Sequence, residues 1–224
     1  MNATLKGRLV TLEGGEGAGK STVLAAVRER LESHGLEVVV AREPGGTAFG
    51  EAVRKLVLDP AHAGVCAESE LLLMFAARAQ LVREIIQPTL AAGRWVLSDR
   101  YTDASYAYQG GGRHQPVDRI AALEAWAAPV RPDLTLLLDL PVADGLARAR
   151  SRPPMSQFAG APVLDRIEIE SDDFFQRVRD AYRARAAAEP TRFRVLDAGR
   201  PIDEVRAQAC AAIDRFVRGA LERA

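Results

Sequence analysis

Cysteine is nearly missing from the 224 residues: only Cys66 and Cys210 occur, far apart, with no C-x-x-C or histidine spacing around them. They read as two reduced thiols that pack as small apolar groups, which argues against a disulfide framework or a thiolate metal site. The three histidines, His34, His62 and His114, share no spacing and receive no role. No apolar run approaches the roughly 18 residues of a membrane span. Met1 to Gly7 does not read as a signal peptide, because a strand begins almost at once. A cytoplasmic chain with no membrane partner is therefore expected. An excess of one charge is also missing, with 30 basic against 30 acidic residues, so no general nucleic-acid surface is expected. No solenoid-type repeat is visible, and the length suits one sizeable core, so residues 1–224 are expected to form one domain.

One stretch is unusually informative. Gly14-Gly15-Glu16-Gly17-Ala18-Gly19-Lys20-Ser21 meets every fixed position of the phosphate-loop pattern G-x-x-x-x-G-K-[ST]. Glycines let the backbone wrap a phosphate with its N–H groups, because side chains would block the approach and several positions need unusual φ/ψ. Lys20 then reaches the outer phosphates as a point charge, Ser21 offers its hydroxyl to Mg²⁺, and the following helix aims its positive end at the anion. The context fits: residues 8–13 are a short apolar run of strand type, and residues 21–33 have helical spacing with Val23, Val27 and Leu31 on one face. The stretch reads as a nucleoside triphosphate site.

Further strands are expected at residues 36–41, 94–98, 134–140 and 192–197, and helices at 48–58, 67–92, 116–128, 142–150, 165–188 and 201–221, with Pro88 kinking the longest. Five apolar strands alternating with helices predict an α/β fold: a five-stranded parallel sheet with helices on both faces, whose ligands bind beyond the carboxyl ends of the strands. Residues 151–163, SRPPMSQFAGAPV, have neither period and are expected to form a mobile lid spanning about 148–168.

The chemistry should therefore sit just after strands. Asp99-Arg100-Tyr101 follows the third strand, placing a carboxylate toward Mg²⁺ or the attacking group and a guanidinium toward transferring phosphate. Arg42-Glu-Pro-Gly-Gly-Thr47 is a rigid turn suited to a second anion. Phe75 and Arg78 share the long helix, and a guanidinium among apolar neighbours needs an acceptor, which a base edge would supply. Tyr101, Ser105, Tyr106, Tyr108 and Gln109 precede Gly110-Gly-Gly-Arg113, which reads as a flexible loop. Arg148, Arg150 and Arg152 flank the lid on one side and Asp165-Arg166-Ile-Glu168 on the other. Arginines that arrive on closure meet charge spread over a transferring phosphoryl group.

Together, residues 13–22, Arg42-Glu-Pro-Gly-Gly-Thr47, Asp99-Arg-Tyr101, Tyr108-Gln-Gly-Gly-Gly-Arg113 and Leu164-Asp-Arg-Ile-Glu168 resemble the bacterial thymidylate kinases, nucleoside monophosphate kinases of the phosphate-loop class. The resemblance covers essentially the whole chain in order. It implies transfer of a phosphoryl group from ATP to dTMP with Mg²⁺, in a homodimer. Residues 14–22, from Gly14 through Lys20, Ser21 and Thr22, would hold ATP, and Ser21 with Asp99 the metal. Arg100 and the Arg42 turn with Pro44 would hold the dTMP phosphate, Phe75 (with Met74 as its alternate) would stack on thymine, and Arg78 would donate to O4. Ser105, Tyr108, Gln109 and Glu16 would complete the dTMP site. Lys20, Asp99 and Arg100 would act with a lid arginine; Arg152 is favoured over Arg150 and Arg166, because residues 153–163 look inserted relative to the A-R-A-R-G-x-L-D-R form. A second metal-side carboxylate, Glu168 or Glu170, stays open. Gly17 stands where the eukaryotic branch usually has an arginine, so the transition-state cation would come from the lid. Without the resemblance, the residues also allow another small-molecule kinase of this fold or a nucleotide-dependent switch, although a switch needs no second base pocket.

Overall fold

The computed structural model describes residues 6–151 and 165–222. Its strands are β1 (Leu9–Gly14), β2 (Val38–Arg42), β3 (Trp95–Asp99), β4 (Leu134–Asp139) and β5 (Phe193–Asp197), paired in parallel in the order β2-β3-β1-β4-β5. β1 is central and all six of its residues are buried, which is why it reads as a mostly apolar run rather than an alternating one. Val10 and Leu12 of β1 pack under α1 (Lys20–Ser33) and α9 (Ile202–Leu221), whereas Leu9 packs on the opposite face with Leu81 and Ile86. Both faces are therefore covered, as the sequence predicts. At the edges, Val40 and Val195 are partly exposed.

β1 lies between β3 and β4, so the chain leaves the sheet centre in one direction and later returns to the other side. A crevice forms at the carboxyl ends at such a reversal. The segments lining it are the loop after β1, the turn before α2 (Ala48–Leu58), the junction after β3, and the start of α7 (Val142–Arg150).

Three expectations are corrected. The long helix is α3 (Ala67–Leu81), a π-helical turn at Val82–Ile86 and α4 (Gln87–Ala91), so the pitch changes six residues before Pro88. Residues 166–169 form turns, and α8 (Asp172–Ala188) starts only after Ser171, which caps it by accepting the Phe174 N–H. Gly110–Gly112, expected to begin a loop, instead ends the π-helical segment Tyr106–Gly112, which continues α5 (Thr102–Ser105) and packs against α8. Its glycines permit that packing, because a Cβ on Gly112 would sit 2.4 Å from the Phe174 ring. The remaining helix is α6 (Val117–Ala127).

Candidate active site

The loop after β1 needs its glycines for two reasons. Gly14, Gly17 and Gly19 have φ of 145°, 69° and 87°, in or near the left-handed region that L side chains rarely adopt. In addition, a Cβ on Gly17 would lie 2.0 Å from the carbonyl oxygen of Gly145 in α7. The loop therefore has no room for a side chain at position 17. Ala18 points into the core, 2% exposed, while Ser21 and Thr22 are exposed at the start of α1. Lys20 bends back over the loop and donates from Nζ to the carbonyls of Gly14 (3.0 Å) and Gly15 (2.8 Å). Burial, with the Arg100 guanidinium nearby, pulls its ammonium down to about 8. An arriving phosphate supplies the missing counter-charge and favours the protonated form.

Across the crevice, Arg100 has φ of 68°, outside the usual range for its residue type. Hydrogen bonds hold the backbone there: Arg100 N–H donates to Leu12 O at 2.9 Å, Ser98 Oγ to Arg100 O at 2.7 Å, and Tyr101 N–H to Glu13 Oε1 at 2.7 Å. Thus placed, the Arg100 guanidinium donates to Glu16 Oε1 at 2.8 Å and to Gly14 O at 3.1 Å, lying 4.8 Å over the Tyr108 ring. The Tyr108 hydroxyl donates to the same Glu16 oxygen at 2.8 Å. Asp99 lines the same cavity, and its Oδ1 is buried with no partner among the described residues. Lys20, Ser21, Asp99 and Arg100 are brought together as the sequence predicts.

The cavity is about 460 Å³, the scale of a small-molecule site. Its second half is walled by Arg42, Glu43, Pro44, Met74, Tyr108 and Gln109. Arg54 of α2 also faces it, and no signal in the sequence singles it out, since it reads as one more charge on an amphipathic helix. It donates to Pro44 O at 3.0 Å. Burial and the Arg42 guanidinium pull its pKa below the usual arginine value, with Arg100 adding to the repulsion. Three crowded guanidiniums suit an anion of more than one negative charge.

Phe75 is placed elsewhere. Met74 lines the cavity, whereas Phe75 packs with Leu71, Tyr106 and Ile120 on the far side of α3. Arg78, fully buried, lies 4.5 Å over the Phe75 ring and donates to Glu43 (2.7 Å), Ser105 (2.9 Å) and Tyr101 O (3.1 Å). These bonds use three of its five N–H groups. Arg78 and Ser105 thus sit behind the wall that Glu43 and Met74 present.

Arg166 does not face the cavity as a lid cation. It is 3% exposed, donating to Glu70 Oε2 at 2.5 Å and to Val57 O at 2.7 Å. Its neighbours Asp165, Ile167 and Glu168 line the cavity instead, while Glu170 pairs with Arg113 at 2.5 Å. Before the undescribed residues 152–164, Arg148 donates to Ala198 O at 2.9 Å and Arg150 is exposed at the end of α7. Arg152 lies outside the described residues.

Comparison with known proteins agrees with this geometry. The family model for thymidylate kinase matches residues 12–209. The chain is 49% identical to a thymidylate kinase of Methylobacillus flagellatus over 213 residues, 95% of this chain and 99% of that one. It is 53% identical to one from Thiobacillus denitrificans over 206 residues, 92% and 95% of the two chains. The crystal structure of thymidylate kinase from Ehrlichia chaffeensis superposes with a TM-score of 0.72 at 28% identity, covering 93% of this chain and 98% of that one.

Proposed function

This chain belongs to the thymidylate kinase family, and from that premise we propose that it transfers the γ-phosphoryl group of ATP to dTMP, giving dTDP and ADP. The observation that carries the reading is the two-sided cavity: a phosphate loop and Lys20 on one side, a guanidinium cluster and a polar base pocket on the other.

ATP occupies Gly14 to Thr22, with the dTMP phosphate at Arg42, Arg54 and Arg100. Asp99 Oδ1, buried without a partner among the described residues, and the exposed Ser21 hydroxyl are the oxygens that would hold Mg²⁺. The ion, when bound, neutralises charge on the transferring phosphates. Lys20 and Arg100 orient the reacting phosphates, and Glu16 holds Arg100 and Tyr108 against the sugar side. Met74, rather than Phe75, covers the thymine face, and Arg78 braces Glu43 and Ser105 from behind that wall. Gly17 leaves no space for a loop cation, so the lid supplies it, from Arg152 in preference to Arg150.

Supporting a homodimer is the apolar face of α3 and α6, where Leu72 is 57% and Trp126 83% exposed beside a groove lined by Phe75 and Leu123. A second copy covers this face. Among the described residues no helix is long and apolar enough to cross a membrane; the enzyme works in the cytoplasm as one domain. The test is ADP release from ATP with and without dTMP: saturable stimulation with dTDP formed in equal amount is expected, and ATP turnover indifferent to dTMP contradicts the reading.

A further inference from the structure

The side-chain amide of Gln109 is held at one end and unmet at the other. Its Nε2 donates to Glu70 Oε1 at 2.8 Å. Gln109 is 2% exposed, lines the cavity, and its Oε1 is buried with no partner among the described residues. An ionised carboxylate only accepts, so the amide cannot turn over: its NH₂ must face Glu70 and its carbonyl must face away.

Glu70 is itself fixed. It is fully buried on α3 and accepts from Arg166 at 2.5 Å and from Arg113 at 3.2 Å. Arg166 is tied to the end of α2 through Val57 O and, by its own N–H, through Leu58 O at 2.9 Å. Against the pull of burial, the bonds from Gln109 and Arg166 hold the Glu70 carboxyl below its usual range, so it stays charged.

We propose that Glu70 is a specificity-positioning residue: by fixing the Gln109 amide with its oxygen toward the cavity, it makes the pocket select a pyrimidine that carries an N–H at ring position 3. Thymine and uracil have that donor. Cytosine presents a lone pair there, which would leave the buried carbonyl facing a second acceptor, and buried polar mismatches of this kind discriminate strongly. The inference rests on the dTMP reading above.

The test is kcat/KM for dTMP and dCMP on the full chain with ATP. In Glu70→Gln, residue 70 can donate as well as accept, so the Gln109 amide is free to turn over and the dTMP to dCMP ratio is expected to fall about tenfold or more. In a Gln109→Leu background the same change should leave the ratio within about twofold, because the amide it acts through is gone. Glu70→Gln removes one charge facing two arginines; the Glu70→Gln, Arg113→Gln pair restores the balance and carries the same expectation if the single variant does not fold. A folded variant with the wild-type ratio, or an equal fall in the Gln109→Leu background, overturns the proposal. Failure of the dTMP reading is separable, since it shows in the wild-type chain as ADP release that dTMP does not stimulate.

Discussion

Oε1 of Glu13 accepts the backbone N–H of Tyr101 at 2.7 Å, while Oε2 accepts the Tyr182 hydroxyl at 2.7 Å. The last polar side chain of β1 thus braces the junction that presents Arg100. Burial, with the Asp103 charge adding to it, raises the Glu13 carboxyl from 4.5 to about 8. The folded protein holds a proton that the unfolded chain has released, so this group makes stability fall as pH rises from 4.5 toward about 8 and contributes no slope beyond. Glu13→Gln keeps an acceptor for Tyr101 and removes the titration. Its stability relative to wild type should grow through that window in denaturant titrations at a series of pH values; a pH-independent difference contradicts the assignment.

Gly17 and Gly15 differ sharply in what surrounds them. Gly17→Ala combines φ of 69° with a Cβ 2.0 Å from Gly145 O, and strain of this kind costs about 1–3 kcal/mol before any clash is relieved. A Cβ on Gly15 meets nothing within 4 Å. Thermal melting should show a clear loss for Gly17→Ala and a change within about 1 kcal/mol for Gly15→Ala. Equal melting of the two would refute the close approach of loop and α7.

Met74 lines the cavity and Phe75 packs away from it, and the proposed base contact follows that placement. Met74→Phe should lower KM for dTMP several-fold, since a ring against the base adds about 0.5–1.5 kcal/mol over simple burial. Phe75→Leu keeps the apolar volume in a cluster away from the cavity, so KM should move less than about threefold while stability drops by about 1 kcal/mol. Steady-state kinetics that reverse this ranking would restore Phe75 to the base site.

Arg152 and Arg166 should fail differently. Arg152→Ala is expected to lower kcat about 100-fold with little change in KM for dTMP, the pattern of a contact made only in the transition state. Arg166→Ala leaves the buried Glu70 short of a partner and should cost about 3–5 kcal/mol of stability. An unchanged kcat in Arg152→Ala transfers the role to Arg150.

Much of the fold was legible because a parallel sheet covered on both faces leaves runs such as Leu134–Leu138 buried at every position and apolar at all but Thr135, and the phosphate loop carries its own spacing. Boundaries slipped where local bonds decide: Asp165 accepts the N–H groups of Ile167 and Glu168 at 2.9 Å, making turns where periodicity suggested helix. Met74 and Phe75 could not be told apart because α3 is buried on several sides, and the apolar run LLLMF gives no direction to either. Arg166 showed its charge but not its partner, which stands 96 positions earlier on α3. Glu13 looked like the polar end of a strand, and its brace to Tyr101 spans 88 positions. Such pairings exist only once the chain is folded.

The most direct test of the account is ADP release from ATP and Mg²⁺ measured across dTMP, dUMP, dCMP, AMP and GMP. The account predicts highest kcat/KM for dTMP, a poorer but real rate with dUMP, whose missing methyl group is worth only about 1–3 kcal/mol, and little with dCMP or the purines. A purine preference, or turnover that no monophosphate stimulates, would contradict it.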